Sequence, residues 1–171
     1  MEFAVEQWRK AELPAAGSLE LMSSLVRANQ LLTVRMERVL EEFDLNLTRY
    51  LLLMSLLVAP TGAYRMGTLR WLLMVHHTTV TAMVDKLVGR GLVRREPDPT
   101  DRRSTLIVLT PQGRELAANA STAVGGANFG LPELAPERQR SLVDLLLEVR
   151  QLSGDLEEEH QLVTRRTDRH S

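Results

Sequence analysis

The stretch Thr78–Thr110, TTVTAMVDKLVGRGLVRREPDPTDRRSTLIVLT, reads as a short amphipathic helix running directly into an arginine-tipped hairpin. Val80, Met83, Val84 and Leu87 fall at the spacing that buries one stripe of a helix. Thr79, Thr81, Ala82 and Lys86 then face outward. Gly91 stops this helix, because glycine takes the left-handed C-cap conformation without a Cβ penalty. Leu92-Val93 opens a strand whose partner is Thr105–Leu109. The tip between the strands is read as carrying Arg94, Arg95, Arg102 and Arg103 among Pro97, Asp98, Pro99 and Asp101. Proline stiffens such a turn and the guanidinium groups project from it.

Working outward, Met66–Val75 reads as a short helix that leads through His76-His77 into the amphipathic one. Two helices joined by a brief turn and followed by a hairpin make a winged helix-turn-helix. Upstream, Tyr50–Ala59 is apolar almost all round, so a helix starting after Thr48 is buried between others, and Pro60-Thr61-Gly62 ends it. A long helix precedes it, with Met22, Leu25, Val26, Leu32, Met36, Val39, Leu40 and Phe43 at helical spacing. Glu2–Lys10 forms a short leading helix. Downstream, Thr110-Pro111 is a helix start, with threonine as N-cap and proline at the first helical position. That helix runs to about Val124. Pro136 starts a last one, striped with Leu142, Leu145, Leu146, Val149 and Leu152.

The expected fold is therefore mainly α with a small β-hairpin: a winged helix-turn-helix lobe flanked by N- and C-terminal dimerisation helices. Residues 1–45 hold the N-terminal extension and long dimerisation helix, 46–112 the winged lobe, 113–156 the C-terminal dimerisation helices, and 157–171 a charged tail. The seam is assigned to Met22, Leu25 and Val26 with Leu142, Leu145, Leu146 and Val149, packing around a two-fold axis.

Charge points to the partner. Among 171 residues the formal net charge is −1, yet residues 64–114 hold nine Lys/Arg against four Asp/Glu, a net +5. Residues 1–63 come to −2 and residues 115–171 to −4. A basic lobe with acidic flanks orients itself toward a polyanion. Thr78, Thr79 and Thr81, near a helix N-terminus, suit phosphates and base edges, with His77, Lys86 and Arg94 alongside. Arg102 and Arg103 suit a narrow minor groove, and Asp101 is read as orienting an arginine through a bidentate pair. A winged-helix scaffold for protein partners, without specific DNA readout, is the alternative.

Other classes are excluded. The chain has no cysteine, hence no disulfide, thiolate zinc site or thiol sensor. There is no nucleophile–base pair, phosphate-cradling loop or carboxylate pair, so no enzyme, and no cofactor is implied. His76 and His77 diverge by about 100° on a helix and lack a carboxylate at ligand spacing, so no metal is expected. Met1–Lys10 does not resemble a signal peptide and Leu51–Ala59 is too short to span a bilayer. A cytoplasmic protein without membrane contact is expected.

Taken together, Leu47-Thr48, Val80-Thr81, Val84-Asp85-Lys86-Leu87, Gly91-Leu92-Val93-Arg94-Arg95, Asp101-Arg102-Arg103 and Leu109-Thr110 followed by Gly113 resemble the multiple-antibiotic-resistance regulators, the MarR family. The match covers roughly Leu19–Leu152. The resemblance implies a homodimeric transcription factor, usually a repressor, with a small-molecule pocket between dimerisation helices and DNA-binding lobe. Three positions depart from the pattern: Ala82 where a polar or basic base-reader is usual, Arg70 where a small alanine is usual, and Met74 at a turn position that suits glycine. Similarity to the urate-responsive branch, with its extra leading helix, implies effector contacts at Trp8, Leu53, Thr81 and Arg95. The apolar Leu51-Leu52-Leu53-Met54 lacks that branch's pocket aspartate, which argues for an aromatic or apolar effector, with a carboxylate for Arg95 to meet, rather than urate.

Overall fold

The structure is a computed structural model that describes residues 2–155. The tail expected from Glu157, with His160 and His170, lies outside the described residues, as does the side chain of Arg102. The chain divides into two compact units, the first ending at Leu131 and the second beginning at Pro132. The first unit contains helices α1 (Glu2–Lys10), α2 (Ala16–Leu40), α3 (Leu47–Val58), α4 (Met66–Leu72), α5 (His77–Gly89) and α6 (Pro111–Gly126), with strands β1 (Ala63–Arg65), β2 (Val93–Asp98) and β3 (Asp101–Leu109). The second contains α7 (Pro136–Leu152).

Helix α3 is the axis of the first unit. Tyr50, Leu52, Leu53 and Leu56 are fully buried, and Leu51, Met54 and Leu57 pack on the same core. So uniform an apolar helix needs cover on every side, and α2, α4, α6 and β3 supply it. The core also takes Val80, Met83, Val84 and Leu87 of α5, which leaves that helix the outward face read from the sequence. The start of α3 is fixed by Asn46, whose side chain accepts from the Arg49 amide at 2.9 Å.

The sheet corrects one expectation. It has three strands in the order β1-β3-β2, all antiparallel, with Ala63–Arg65 opposite Val108–Leu106. Three residues directly before a helix carry no readable alternation, and their partner lies some forty positions away. β2 is also longer than expected, so Arg94 and Arg95 stand in the strand opposite Val108 and Ile107 rather than at the tip.

Helix ends follow local rules. α5 ends with Gly91 at φ 70°, the Gly91 amide bonding to Val88 O and the Leu92 amide to Leu87 O, the pairing that defines a Schellman cap. α4 ends in the same way and earlier than the expected Val75. The Met74 amide bonds to Trp71 O and the Val75 amide to Arg70 O, with Met74 at φ 50°. Here a methionine, 84% exposed, occupies the glycine position. Arg70, one turn back, is exposed. α6 begins as read: Thr110 Oγ1 accepts from the Gly113 amide at 3.0 Å and its hydroxyl lies 2.7 Å from Gly91 O.

Gly113 is where α6 meets the wing. A Cβ built on it would stand 1.9 Å from Leu92 O, so no side chain fits without moving backbone. Along α2, only Ser23, Met36 and Leu40 are buried, and α1 lies against this helix through Val5. Met22, Leu25 and Val26 are exposed. α7 has no buried residue at all, and its Leu142, Leu145, Leu146 and Val149 are 38–61% exposed.

Two substitutions with opposite outcomes test these caps. Gly113→Ala is expected to destabilise the chain by about 3 kcal/mol, the upper range for forced overpacking. Met74→Gly is expected to stabilise it by about 1 kcal/mol through relief of the left-handed penalty. Urea unfolding followed by far-UV circular dichroism reads both, and a stabilised Gly113→Ala or a destabilised Met74→Gly contradicts the assigned geometry.

Candidate nucleic-acid interface

The outward face of α5 is joined to the base of the wing through Asp85 and Arg95. His77, Thr78, Thr79, Thr81, Ala82 and Lys86 are all exposed. His76 caps the helix in extended conformation and its Nδ1 lies 3.0 Å from Thr78 Oγ1. Thr81 donates its hydroxyl to His77 O at 3.0 Å, which ties up its proton within the helix. Thr78, Thr79, Ala82 and Lys86 line a cleft of about 410 Å³ with Asn46 and Arg49 of the α3 start. Sequence reading missed Asn46 and Arg49. Their only local signal was the N-cap itself, and the cleft arises because α3 and α5 pack on one core. Arg49 and Lys86 make no ion pair among the described residues, so the cleft is cationic.

The wing is built around a displaced segment of β3. Pro97 pairs with Thr105 and Asp98 with Asp101, so residues 102–104 bulge from the ladder with no counterpart on β2. Two aspartates hold the ends of this bulge. Asp101 accepts from the Arg103 amide at 3.0 Å and from the Ser104 hydroxyl at 2.7 Å. Asp98, 4% exposed, accepts from the Thr100 amide and hydroxyl, both at 2.8 Å, and from Arg65 Nε at 2.5 Å. Among the described side chains Asp101 makes no ion pair with an arginine; its described partners are the Arg103 amide and the Ser104 hydroxyl. Asp98 is the carboxylate that grips a guanidinium, and that guanidinium comes from β1.

The remaining arginines divide into tied and open. Arg94 Nε pairs with Glu96 at 2.5 Å and Arg95 with Asp85 at 2.8 Å. Arg90 donates to Asp44 O and Phe43 O, closing the end of α2's 3₁₀ extension. Arg103 is exposed and unpaired among the described residues.

The residues expected to meet an effector are scattered in role. Leu53 is fully buried in the core, Arg95 is held by Asp85, and Thr81 is bonded within α5. Trp8 Nε1 donates to Pro14 O at 2.9 Å. None of the four lines the cleft beside α5.

The carboxylates respond to these contacts. The Thr100 hydroxyl and amide, helped by Arg65, hold Asp98 at about 2 against a burial effect that opposes them. Ser104 and the Arg103 amide lower Asp101 likewise. A depressed folded-state value means that the stabilisation is complete above the ordinary 3.8 and disappears as pH falls through about 2. An NMR titration of the Thr100 amide shift should accordingly show its midpoint near 2. A midpoint at the ordinary aspartate value would contradict the described bonds.

A sequence model described as MarR family matches residues 45–105. The HTH-type transcriptional regulator YhbI of Bacillus subtilis is 32% identical over 121 residues, which is 71% of this chain and 73% of that protein. Among solved structures, Sco5413, a MarR family transcriptional regulator from Streptomyces coelicolor, aligns with a TM-score of 0.75 at 32% identity, over 82% of this chain and 98% of its own. Sco3205 from the same organism, a MarR family transcriptional regulator solved in complex with DNA, aligns with a TM-score of 0.68 at 29% identity, over 80% and 88%. No helix among the described residues is long and apolar enough to cross a membrane. With the winged architecture, the arginine-bearing bulge and these likenesses in agreement, the chain belongs to the MarR family, whose members are transcriptional regulators and not enzymes.

Proposed function

We propose that this protein is a sequence-specific double-stranded DNA-binding repressor that acts as a homodimer on a pseudo-palindromic operator and is released by a small aromatic or apolar effector. The observation that carries the reading is the surface where the exposed face of α5 borders a cationic cleft, with the Arg103-bearing bulge on the same lobe. α5 enters the major groove with Thr78, Thr79 and Thr81 near its N-terminus, His77 and Lys86 reach phosphates, and Arg94 does so by exchanging its Glu96 contact for one. Asn46 and Arg49 add backbone contacts from the cleft. Arg102 and Arg103 occupy the flanking minor groove, with Asp101 shaping the bulge that presents them. The DNA-bound state of the similar Sco3205 supports this reading.

Dimerisation is supported by the apolar residues left exposed along α2 and α7, since each large side chain fully buried there contributes about 1.5–3 kcal/mol. Two reading helices then lie about 34 Å apart, one helical turn of DNA. The effector is assigned to Trp8, Leu53, Thr81 and Arg95. Its binding must exchange the Pro14 and Asp85 contacts for its own, and a few kcal/mol of differential affinity suffices for release.

Gel shifts on the chain's own upstream region test this reading. The slope of log K against log salt is expected at roughly −5 to −7 for the dimer, and Lys86→Ala should reduce its magnitude by about 1 per protomer. Arg102→Ala with Arg103→Ala should weaken binding; unchanged binding removes the wing from the interface and leaves the protein-scaffold alternative. Sedimentation must show a dimer. Thermal-shift screening of aromatic carboxylic acids is expected to find a stabilising ligand that also dissociates the DNA complex.

A further inference from the structure

We infer that Arg65 is a positioning residue for DNA recognition: by clamping Asp98 and Thr100 it fixes the arginine-bearing bulge of the wing relative to the helix-turn-helix. The inference rests on the DNA-binding reading above and adds to it a residue that does not itself touch DNA.

The geometry is that of a strut. Arg65 is the last residue of β1 and the N-cap of α4, so its backbone leads directly into the first helix of the helix-turn-helix. β1 and β2 are not neighbours, because β3 lies between them. The Arg65 side chain therefore crosses a strand to reach the end of β2. There Nε bonds Asp98 at 2.5 Å and one terminal nitrogen donates to Thr100 Oγ1 at 2.9 Å. The Thr100 hydroxyl receives that bond and passes its own proton to Asp98 at 2.8 Å. The Thr100 amide closes the turn onto the same carboxylate. Three groups from two segments, 33 positions apart in sequence, thus close a ring in which the described donors and acceptors match. Asp98 is the buried member, and Arg65 is about one-third exposed.

The position of the ring gives it leverage. Asp98 pairs with Asp101, and residues 102–104 bulge immediately afterwards. Freeing Asp98 frees the near end of that bulge, where only Asp101 and Ser104 would still hold it. The wing base is separately tied to α5 through Arg95 and Asp85, so losing the Arg65 clamp loosens the tip while the base stays attached. A wing tip that must be ordered during binding loses affinity by the cost of that ordering.

Simple electrostatics makes the opposite forecast, which permits a test by sign. Asp98 is an acidic residue on a lobe that meets DNA, so removing its charge should tighten binding if it were only a source of repulsion. The clamp requires that Asp98→Asn weaken operator binding by about tenfold. Arg65→Met should weaken it by a similar factor with an unchanged salt slope, since a strut contacts no phosphate. The double variant should be no worse than either single one, because each removes the same ring. Arg65→Lys keeps the charge but cannot serve both partners, and should recover only part of the loss. Hydrogen exchange at the Thr100 and Arg103 amides of the free protein should accelerate in all four variants, with the far-UV spectrum and the protection of α5 retained.

If the unsubstituted protein binds its operator and Asp98→Asn binds as tightly or more tightly, the clamp is wrong. Additive losses, or a salt slope reduced by about 1 per protomer in Arg65→Met, overturn it in favour of a direct phosphate contact. Failure of the unsubstituted protein to bind any upstream duplex at low salt is instead failure of the DNA-binding reading.

Discussion

The first unit of this chain is organised by the need to cover α3, which past Arg49 is apolar on nearly every side. α3 places Tyr50, Leu52, Leu53 and Leu56 beyond the reach of solvent, and a helix of 12 residues with apolar groups all round cannot be satisfied by one neighbour. α2, α6, α4 and β3 therefore converge on it. Helix α5 is drawn into the same core through Val80, Val84 and Leu87. The winged lobe is consequently not an appendage on a helical stalk, since the C-terminal end of α2, the apolar residues of α3 from Leu47 to Leu57 and the buried face of α6 share one continuous packing. The Tyr50 hydroxyl, 3.2 Å from Ser121 Oγ, satisfies the one polar tip that this core takes in from α3.

That constraint explains which parts of the molecule are legible in sequence. α5, Gly91 and the Thr110-Pro111 start are governed by neighbours within a few residues, so periodicity and cap chemistry identify them. α3 is legible because the almost wholly apolar run Tyr50–Ala59, stopped by Pro60, has few alternatives. β1 is not legible, because Ala63, Tyr64 and Arg65 become a strand only when β3 is present to receive them. The ends of β2 follow the same logic. Arg94 and Arg95 look like tip residues in a string rich in proline and aspartate, yet the ladder holds until the shift between Pro97 and Asp98.

The candidate site was legible as a surface and illegible as a network. Counting charge identifies residues 64–114 as basic, and the exposed threonines and Lys86 fall where helical spacing puts them. Counting cannot separate an arginine that meets a ligand from one that braces the fold. Arg65, Arg90, Arg94 and Arg95 are each engaged by Asp98, the carbonyls of Phe43 and Asp44, Glu96 and Asp85 respectively. Among the described side chains of the block, Arg70, Lys86, Arg103 and Arg114 are exposed without an ion pair, and Arg49 adds a charge from α3. The aspartates show the same ambiguity: Asp101 caps backbone and Asp98 grips a guanidinium, although either could have been assigned either task from the string DPTD.

A reader with two contact elements gains from both only if their separation is set before binding, because ordering a loose element consumes part of the interaction it makes. The chain sets that separation by three devices of different physical kind. Gly113 allows α6 to press against the Leu92 carbonyl, which also accepts from the Thr110 amide and hydroxyl, so close packing and hydrogen bonds fix the root of β2. Asp85 and Arg95 tie α5 to β2 by an exposed ion pair, of modest worth in water. Arg65, Asp98 and Thr100 tie the far end by a partly buried ring whose carboxylate is held near 2. Rigidity thus comes from packing at the root and from charge at the tip. That order is physically necessary, since a thin hairpin projecting from the core has no apolar neighbours with which to stiffen its end.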